Sequence, residues 1–419
     1  MKLAIVTAYP PSKVTLNEYA YHLVKSFRQS EKVTQLTLLT DVTPDEKEIN
    51  FTENGCEIII KECWKFNSYA NILNVTKAIN QTKPDAVLFN LQFMKFGDKK
   101  VAAALGLALP LVCKIKKIPT IVLLHNILEQ VDLESAGFTK NKIVQKIYNF
   151  IGTTLTKLIL KTDLVAVTMD NYVTTLKDKY KVDHVKMIPH GTFEVPDKPS
   201  QKLPEGPLKI MAFGKFGTYK KVESMIKAVE IVRKETGLDL EIVIAGTDNP
   251  NVPGYLANAK ETFKHVPQLN FTGYVKEIDV APLFTESAVV VFPYTCTTGS
   301  SGVLHQAGSY GRAVVMPNLG DLANLIVHEG YKGEFFEPDS IPSLAEAIKA
   351  IVSNDAYRIE LGEANYKAAV TFPMERITAM YLKEFQNIIK TKKQLKRRFL
   401  NYQLFRNKLK RWLFNTTPI

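Results

Sequence analysis

The sequence predicts an α/β protein of two consecutive doubly wound domains that face a cleft. The chain has 419 residues, which suits about two domains. Short runs rich in β-branched residues alternate with longer helical segments in both halves, as is typical of parallel sheets covered by helices on both faces. Between the halves, residues 191–207 contain four prolines and two glycines, which indicates a linker. Hydrophobic residues make up 46% and charged residues 23%, so a wholly disordered or fibrous chain is excluded.

The first domain is predicted over residues 1–190. Its strands are short apolar runs, and its helices are the longer amphipathic segments between them. The predicted strands are residues 3–8, 37–40, 57–60, 86–89, 120–124, 164–168 and 185–188. The predicted helices are residues 17–28, 69–81, 100–113, 140–161 and 170–180.

The second domain is predicted over residues 208–372, where the same alternation restarts after the linker. Its predicted strands are residues 208–213, 240–245, 269–273, 288–292 and 313–316. Its predicted helices are residues 220–235, 254–264, 279–286, one that opens near 302, and two at 342–353 and 355–370. A closing helix over residues 373–390 and a basic amphipathic tail over residues 391–419 complete the predicted organisation.

The cysteines and the apolar runs of the sequence indicate the cellular compartment. The four cysteines are scattered, with no CxxC pair, which excludes a disulfide framework or zinc finger and suits a reducing compartment. The longest apolar run, residues 101–113, is too short to span a bilayer, and Pro110 interrupts it. The apolar start of the chain ends at two prolines and is interpreted as a buried strand rather than a signal peptide. We therefore expect a cytoplasmic protein.

The positive charge is concentrated in the tail. The chain carries a net charge of +12, but residues 390–419 hold ten basic residues and no acidic residue. The remaining 389 residues hold 44 basic and 42 acidic residues and are nearly neutral. The basic balance is therefore a property of the tail and does not indicate a nucleic-acid-binding fold.

Polar residues directly after strands are the site candidates, because ligands of doubly wound sheets bind beyond the carboxyl ends of the strands. His125 follows a predicted strand and could stabilise developing charge in the cleft, or only hydrogen-bond the loop backbone. The sequence GKFGTYKK, residues 214–221, places Lys215 and Lys220 beside two glycines at a helix start. These lysines suit a diphosphate, although a solvated lysine face is the more frequent meaning of such a pattern.

A second anion-binding candidate is the segment TTGSSGVLHQAGSYG, residues 297–311, which is small and polar and leads into a helix. Backbone N–H groups of Ser301, Gly302 and Val303 could hold a phosphate, and Gln306 could bind a ribose hydroxyl. A flexible loop with a helix cap would explain the same residues.

Other features indicate no particular chemistry. The proline and glycine of IPHG, residues 188–191, are explained by chain reversal at the domain boundary, and His305 by packing or a helix surface. The fingerprints GxGxxG, HExxH and GxSxG are missing, so the usual signals of dinucleotide binding, zinc proteolysis and serine hydrolysis are absent from the sequence.

Taken in order, these segments resemble the family 4 (group 1) glycosyltransferases of GT-B fold over roughly residues 1–390. The resemblance implies two Rossmann-like domains, a UDP- or GDP-sugar bound mainly by the second, and an acceptor bound mainly by the first. It also implies transfer with retention at the anomeric carbon and no requirement for a metal or other cofactor. The segments that carry it are AYPPSK, LLHN, LVAVT, IPHG, GKFGTYKK, IVIAG, LNFTGYV, VVVFPY and GVLHQAGSYGRAVV.

The resemblance also assigns roles to residues. His125 matches the histidine that faces the donor sugar and the reaction centre, and Lys215 and Lys220 match the cations at the donor diphosphate. His125 and Lys220 are thus the implied catalytic residues. The implied donor-binding residues are Gly214, Lys215, Lys220, Thr298, Ser301, Gly302, Val303 and Gln306.

Two departures from the family pattern leave a second function open. The paired glutamates of the family become Thr298 and Gln306, and its glycine-rich first loop becomes the bulkier PPSKVTLNE, residues 10–18. One hypothesis is therefore a retaining hexosyltransferase in polysaccharide or glycolipid assembly. The other is a catalytically silent relative that binds a sugar nucleotide or glycan and acts as a membrane-associated partner.

The tail suggests a membrane contact. Residues 390–414 interleave cations with aromatic and leucine residues at largely helical spacing, which favours an interfacial helix on anionic lipid over a solvated helix. RNA is the third alternative, since no RNA-binding module accompanies the charge. We expect a peripheral position on the inner face of the membrane and a glycan or lipid-linked acceptor. The predicted membrane-binding residues are Lys396, Arg397, Arg398, Phe399, Phe405, Lys410, Arg411 and Trp412.

Overall fold

A computed structural model describes residues 1–12, 14–44, 55–93, 95–127, 142–249, 252–296 and 301–414. These residues form two parallel sheets that lie on either side of the predicted linker: the last strand of the first sheet ends at Met187 and the first strand of the second begins at Leu208. The α/β fold predicted from the alternation of strands and helices is confirmed.

The first sheet has seven strands in the order β3-β2-β1-β4-β5-β6-β7, all parallel. The reversal of winding between β1 and β4 is typical of a Rossmann-like sheet. Its strands are β1 (Lys2–Val6), β2 (Gln35–Asp41), β3 (Glu57–Trp64), β4 (Ala86–Leu91), β5 (Thr120–Leu124), β6 (Leu164–Val167) and β7 (Val185–Met187). Its helices are α1 (Asn17–Gln29), α2 (Asn71–Thr82), α3 (Lys100–Leu107), α4 (Leu109–Ile115), α5 (Lys142–Ile159) and α6 (Asp170–Tyr180).

The second sheet repeats this winding with six parallel strands in the order β10-β9-β8-β11-β12-β13. Its strands are β8 (Leu208–Phe216), β9 (Leu240–Asp248), β10 (Leu269–Gly273), β11 (Ser287–Val291), β12 (Ala313–Pro317) and β13 (Glu334–Phe336). Its helices are α7 (Val222–Thr236), α8 (Tyr255–Thr262), α9 (Glu277–Thr285), α10 (Gly302–Ser309), α11 (Gly320–Glu329), α12 (Ile341–Val352) and α13 (Asp355–Ala369). Helix α11 and strand β13 were not predicted from the sequence.

One helix replaces the predicted closing helix and tail: α14 runs without interruption over Met374–Phe414. Its first part packs on the first domain, where Ile377, Tyr381 and Phe385 are fully buried. Further along the helix, Lys392 Nζ donates to Asp163 Oδ2 at 2.5 Å. From residue 393 to residue 407 every described side chain is exposed.

Helix α14 leaves the first domain at the edge opposite the predicted cleft. Asp163 comes just before β6, and Lys117, whose carbonyl oxygen also accepts from Lys392 at 3.4 Å, comes before β5. Both residues therefore mark the amino ends of the strands, whereas His125 follows the carboxyl end of β5. Within the described residues, no helix is both long and apolar enough to cross a membrane.

Candidate functional site

His125 lies at the carboxyl end of β5 in a chain of hydrogen bonds that fixes its tautomer. Thr7 Oγ1 donates to the carbonyl oxygen of Ala8 at 2.9 Å and accepts from Asn90 Nδ2 at 3.0 Å. Asn90 therefore offers its Oδ1 to His125, and the 2.7 Å contact requires a proton on the histidine Nε2. Burial, with smaller contributions from His190 and Lys95, holds the pKa of His125 well below its usual range. The ring is thus neutral, with a lone pair on Nδ1.

Two further histidines, one at the hinge and one on the second domain, place their rings near that of His125. The ring centroid of His190, just after β7, lies 6.1 Å from that of His125 and 5.0 Å from that of His305 on α10. The planes of His190 and His305 differ by 7°, so the two rings stack. Tyr19 of α1 contacts both His125 and His190 edge-on. The first domain, the hinge and the second domain therefore meet in one group of rings, which we call the ring cluster.

IPHG was interpreted as a chain reversal only, and this interpretation was incomplete. Gly191 does adopt a positive φ of 82°, as a reversal requires. His190, however, is 93% buried inside the ring cluster, since its exposed fraction is 7%. The position of His190 beside a hinge glycine is the one sequence signal that could have indicated its burial. Nothing in the sequence indicates that His305 stacks on His190.

Behind His305 lies a buried carboxyl group. Glu329, at the end of α11, has an exposed fraction of 5% and places Oε2 at 3.7 Å from His305 Nε2. Burial raises the pKa of Glu329 to about 8, and burial lowers the pKa of His305 well below its usual range. Both groups are therefore neutral in the folded protein near pH 7, and His305 Nδ1 pairs with the Tyr331 hydroxyl at 2.9 Å.

Replacing Glu329 with glutamine is expected to remove a loss of stability at alkaline pH. The folded pKa of about 8 lies above the ordinary value of 4.5, so the stabilising contribution is complete below about pH 4.5 and is lost as pH rises through 8. At roughly 1.4 kcal/mol per pH unit, the wild type should lose about 2 kcal/mol more than Glu329→Gln between pH 6 and pH 8. Urea unfolding of both proteins at the two pH values measures this. Parallel pH dependences would contradict a buried, protonated Glu329.

On the second domain, Lys220 lies against the carboxyl end of β8. Its Nζ lies 2.8 Å from the position that a Cβ on Gly214 would take, so the absence of a side chain at Gly214 makes room for the ammonium group. Gly214 has φ of 135°, which also favours glycine. The backbone of Lys220 forms an isolated antiparallel bridge with that of Tyr294, which lies three positions beyond β11. The Nζ of Lys220 lies 4.6 Å from the centroid of the Tyr294 ring. Burial lowers the pKa of Lys220.

Helix α10 begins beside the ring cluster. Ser301 is the extended residue before the helix, and Gly302 is its first residue. A Cβ on Gly302 would lie only 3.6 Å from His190 Cε1. The first N–H groups of this helix, including that of Val303, have no acceptor within the helix itself. They lie close to His190, where an anion would gain from the helix dipole.

The remaining predicted donor-binding residues have fewer contacts that bear on a role in binding. Lys215 is exposed on β8 and lies in register with Thr247 of β9. Gln306 is partly buried on α10, and its carbonyl oxygen accepts from Ser309 Oγ at 2.9 Å. Thr298 lies outside the described residues. The structure thus brings Gly214 and Lys220 into contact, while the roles assigned to the predicted residues stay predictions.

Sequence reasoning missed a buried lysine beside the first loop. Lys95 has no exposed surface, and its Nζ donates to the carbonyl oxygen of Thr15 at 2.7 Å. Burial lowers the pKa of Lys95 to about 7, with a smaller opposing effect of Asp41. Asp41, at the end of β2, accepts a hydrogen bond from Ser12. The first loop, which departs from the family pattern, is therefore tied down at two points on the cleft side of the sheet.

Comparison with known proteins relates the second domain to a family. Residues 207–354 match the family described as "Glycosyl transferases group 1". These residues form a group 1 glycosyltransferase domain. No curated protein matches the chain in sequence.

Several solved structures share the fold of nearly the whole chain. Sucrose-phosphate synthase from Thermosynechococcus elongatus is 14% identical with a TM-score of 0.68, over 93% of this chain and all of that one. Anabaena HepE in complex with UDP and glucose is 14% identical with a TM-score of 0.66, over 92% and 99%. An E. coli trehalose-6-phosphate protein bound with UDP-2-fluoro glucose is 11% identical with a TM-score of 0.63, over 92% and 99%. The chain therefore has the two-domain GT-B fold predicted from its sequence.

Proposed function

We propose that the protein is a retaining glycosyltransferase that transfers a hexosyl group from a UDP- or GDP-sugar to a glycan or lipid-linked acceptor. The observation that carries the proposal is the placement of Lys220, whose ammonium group fills the space above Gly214 at the carboxyl end of β8. A partly buried cation at this edge of a doubly wound sheet suits a diphosphate. The structural neighbours that bind UDP or a UDP-sugar support this donor class.

In the proposed reaction, the bond between the anomeric carbon and the diphosphate oxygen breaks, and the electron pair leaves with the diphosphate. The acceptor oxygen forms its bond on the same face of the sugar and gives its proton to the departing diphosphate. Lys220 and the N–H groups at the start of α10 stabilise the charge that develops on the leaving group. We infer that these groups make a divalent metal unnecessary. His125, neutral and fixed through Asn90, is proposed to accept a hydrogen bond from the donor sugar.

A panel of UDP- and GDP-hexoses, assayed for hydrolysis and for transfer to glycan acceptors, tests this function. Transfer from at least one donor is expected, and NMR of the new glycosidic bond should show the anomeric configuration of the donor. Inversion would contradict the retaining mechanism. Absence of turnover with every donor would contradict the enzyme proposal.

The alternative of a silent sugar-nucleotide-binding protein rests on the residues at the two glutamate positions of the family. Thr298 and Gln306 are neutral, so neither supplies the carboxylate that the family places at the donor sugar and ribose. This alternative predicts calorimetric binding of a nucleoside diphosphate without turnover, which distinguishes it from the first proposal.

We further propose that the exposed part of α14 docks on an anionic membrane surface. Phe399 and Phe405 are 60% and 63% exposed, and the exposed side chains of Lys396, Arg397 and Arg398 directly precede Phe399 on the helix. Such a combination is typical of an interfacial helix. The side chains of the other predicted contacts, Lys410, Arg411 and Trp412, lie outside the described part.

The place where α14 leaves the first domain bears on which acceptors the proposed enzyme could use. Since this helix leaves the first domain at the edge opposite the strand ends that carry His125, docking through it would hold the cleft away from the bilayer. An acceptor whose reacting end stands clear of the lipid, such as the growing end of a lipid-linked glycan, fits this orientation.

Two sets of substitutions should separate the charge from the apolar contribution to docking. Replacing Lys396, Arg397 and Arg398 with glutamine should weaken binding to phosphatidylserine vesicles about 100-fold at low salt, at roughly 1 kcal/mol per cation, and less at high salt. Replacing Phe399 and Phe405 with serine should weaken binding at both salt concentrations. Vesicle sedimentation measures both effects. Equal sedimentation of all three proteins would contradict docking through α14, and stronger binding to RNA than to vesicles would favour RNA instead.

A further inference from the structure

A half-open cavity of about 400 Å³ lies beside the hinge, and Phe193 in its wall contacts the ring cluster. It is lined by α1, the linker, the start of α14 and Tyr310 at the end of α10, so both domains contribute to its wall. It shares no lining residue with the predicted donor site. Its size is within the range of small-molecule sites.

The wall of this hinge cavity contains a buried histidine without a hydrogen-bond partner on one nitrogen. His22 of α1 has an exposed fraction of 4%, and its Nδ1 has no hydrogen-bond partner among the described residues. Its ring stacks on Phe193 of the linker, with centroids 4.3 Å apart and planes 10° apart. Buried polar atoms are nearly always paired, and this nitrogen is closed off from the cavity in this structure. A polar group of a ligand would pair with it through a small shift of the imidazole, which would also move Phe193.

The charges around the cavity favour a neutral ligand. Lys25 and Glu194 in its wall form an ion pair at 3.3 Å, and a second carboxylate, Glu375, adds a negative charge. An anion would therefore meet a net negative wall. The amide of Gln29, the carboxylate of Glu375 and the imidazole of His22 together offer both donors and acceptors, as the hydroxyl groups of a sugar require.

A column of rings joins the cavity to the candidate active site. Phe193, on which His22 stacks, lies 5.4 Å from His190, and His190 stacks on His305 at 5.0 Å. Phe193 belongs to the linker, and His305 belongs to α10. A ligand that fixes His22 and Phe193 would therefore favour one arrangement of the hinge.

We propose that the hinge cavity is a second binding site for a neutral mono- or disaccharide, and that its occupancy changes the affinity of the cleft for the donor nucleotide. The binding itself is independent of the proposed function, whereas the effect on the donor rests on it.

Calorimetric titration with glucose, N-acetylglucosamine, sucrose and maltose, with and without UDP, tests the binding, and substitutions in the cavity wall separate this site from the cleft. Gln29→Trp, which places an indole at the exposed rim of the cavity, should abolish binding of the active sugar. Gln386→Trp is the matched control on an exposed glutamine of α14 outside the cavity, and it should bind as the wild type does. His22→Phe keeps a ring against Phe193 but removes both nitrogens, and it should weaken binding at least tenfold.

Failure of all four sugars to bind, or unchanged binding in Gln29→Trp, would overturn the site. An affinity for UDP that is the same with and without the active sugar would overturn the coupling. A wild type that binds a sugar but no UDP would support the site and contradict the proposed function, so the two failures are distinguishable.

Discussion

Lys220→Ala is expected to lower kcat/KM for sugar transfer by about 10²- to 10³-fold, the usual effect of removing one preorganised group that stabilises charge in a transition state. The ammonium group lies where the carboxyl end of β8 meets Tyr294, in space that Gly214 leaves open. Alanine removes this charge and cannot reach the diphosphate. Steady-state kinetics with the active donor measure the loss.

The matched control is Lys227→Ala, on the exposed face of the same helix α7 that Lys220 precedes. Its kinetics should equal those of the wild type, because it changes the net charge by the same amount at a distance from the cleft. A loss of less than twofold in Lys220→Ala, or an equal loss in both variants, would contradict the role given to Lys220.

Gly246→Ala is expected to destabilise the second domain by more than about 3 kcal/mol or to prevent folding, which only a few kinds of substitution achieve. Gly246 of β9 lies in register with Gly214 of β8 and has φ of 139°. A Cβ there would lie 1.8 Å from the carbonyl oxygen of Gly214. Because the clashing atom belongs to the backbone, it cannot move aside as a side chain could. Strands β8 and β9 must therefore separate at the point that positions Lys220. Urea unfolding measures the loss.

Gly237→Ala is the control for the backbone conformation alone. Gly237 follows the last residue of α7 with φ of 68°, and no atom of the described residues lies within 4 Å of the position that its Cβ would take. This substitution should cost only about 1–2 kcal/mol, the penalty of a left-handed conformation. Equal losses in the two variants would show that strand contact at Gly246 contributes nothing.

The fold could be predicted because most of its strands are short, continuous apolar runs that alternate along the chain with longer helical segments. Errors arose where local chemistry overrides that pattern. The predicted helix over residues 100–113 is divided at Ala108, since Pro110 lies in the first turn of a new helix, where proline is tolerated. Strand β13 has only three residues, Glu334–Phe336, too few to show a period.

The candidate site was only partly predictable, because much of it depends on contacts between distant residues. His125 and Lys220 follow strands, and this local rule found them. His190 and His305 lie in different elements and acquire their meaning only when the hinge brings their rings together. Lys95 is polar within an apolar neighbourhood, but its burial against the first loop depends on the tertiary fold.

The central claim is that the second domain binds a diphosphate beside Lys220, and calorimetric titration with UDP, GDP, UMP and GMP tests it most directly. One nucleoside diphosphate should bind at least tenfold more tightly than its monophosphate, and Lys220→Ala should abolish that difference. Equal affinity for the diphosphate and the monophosphate, or a preference that persists without Lys220, would contradict the claim.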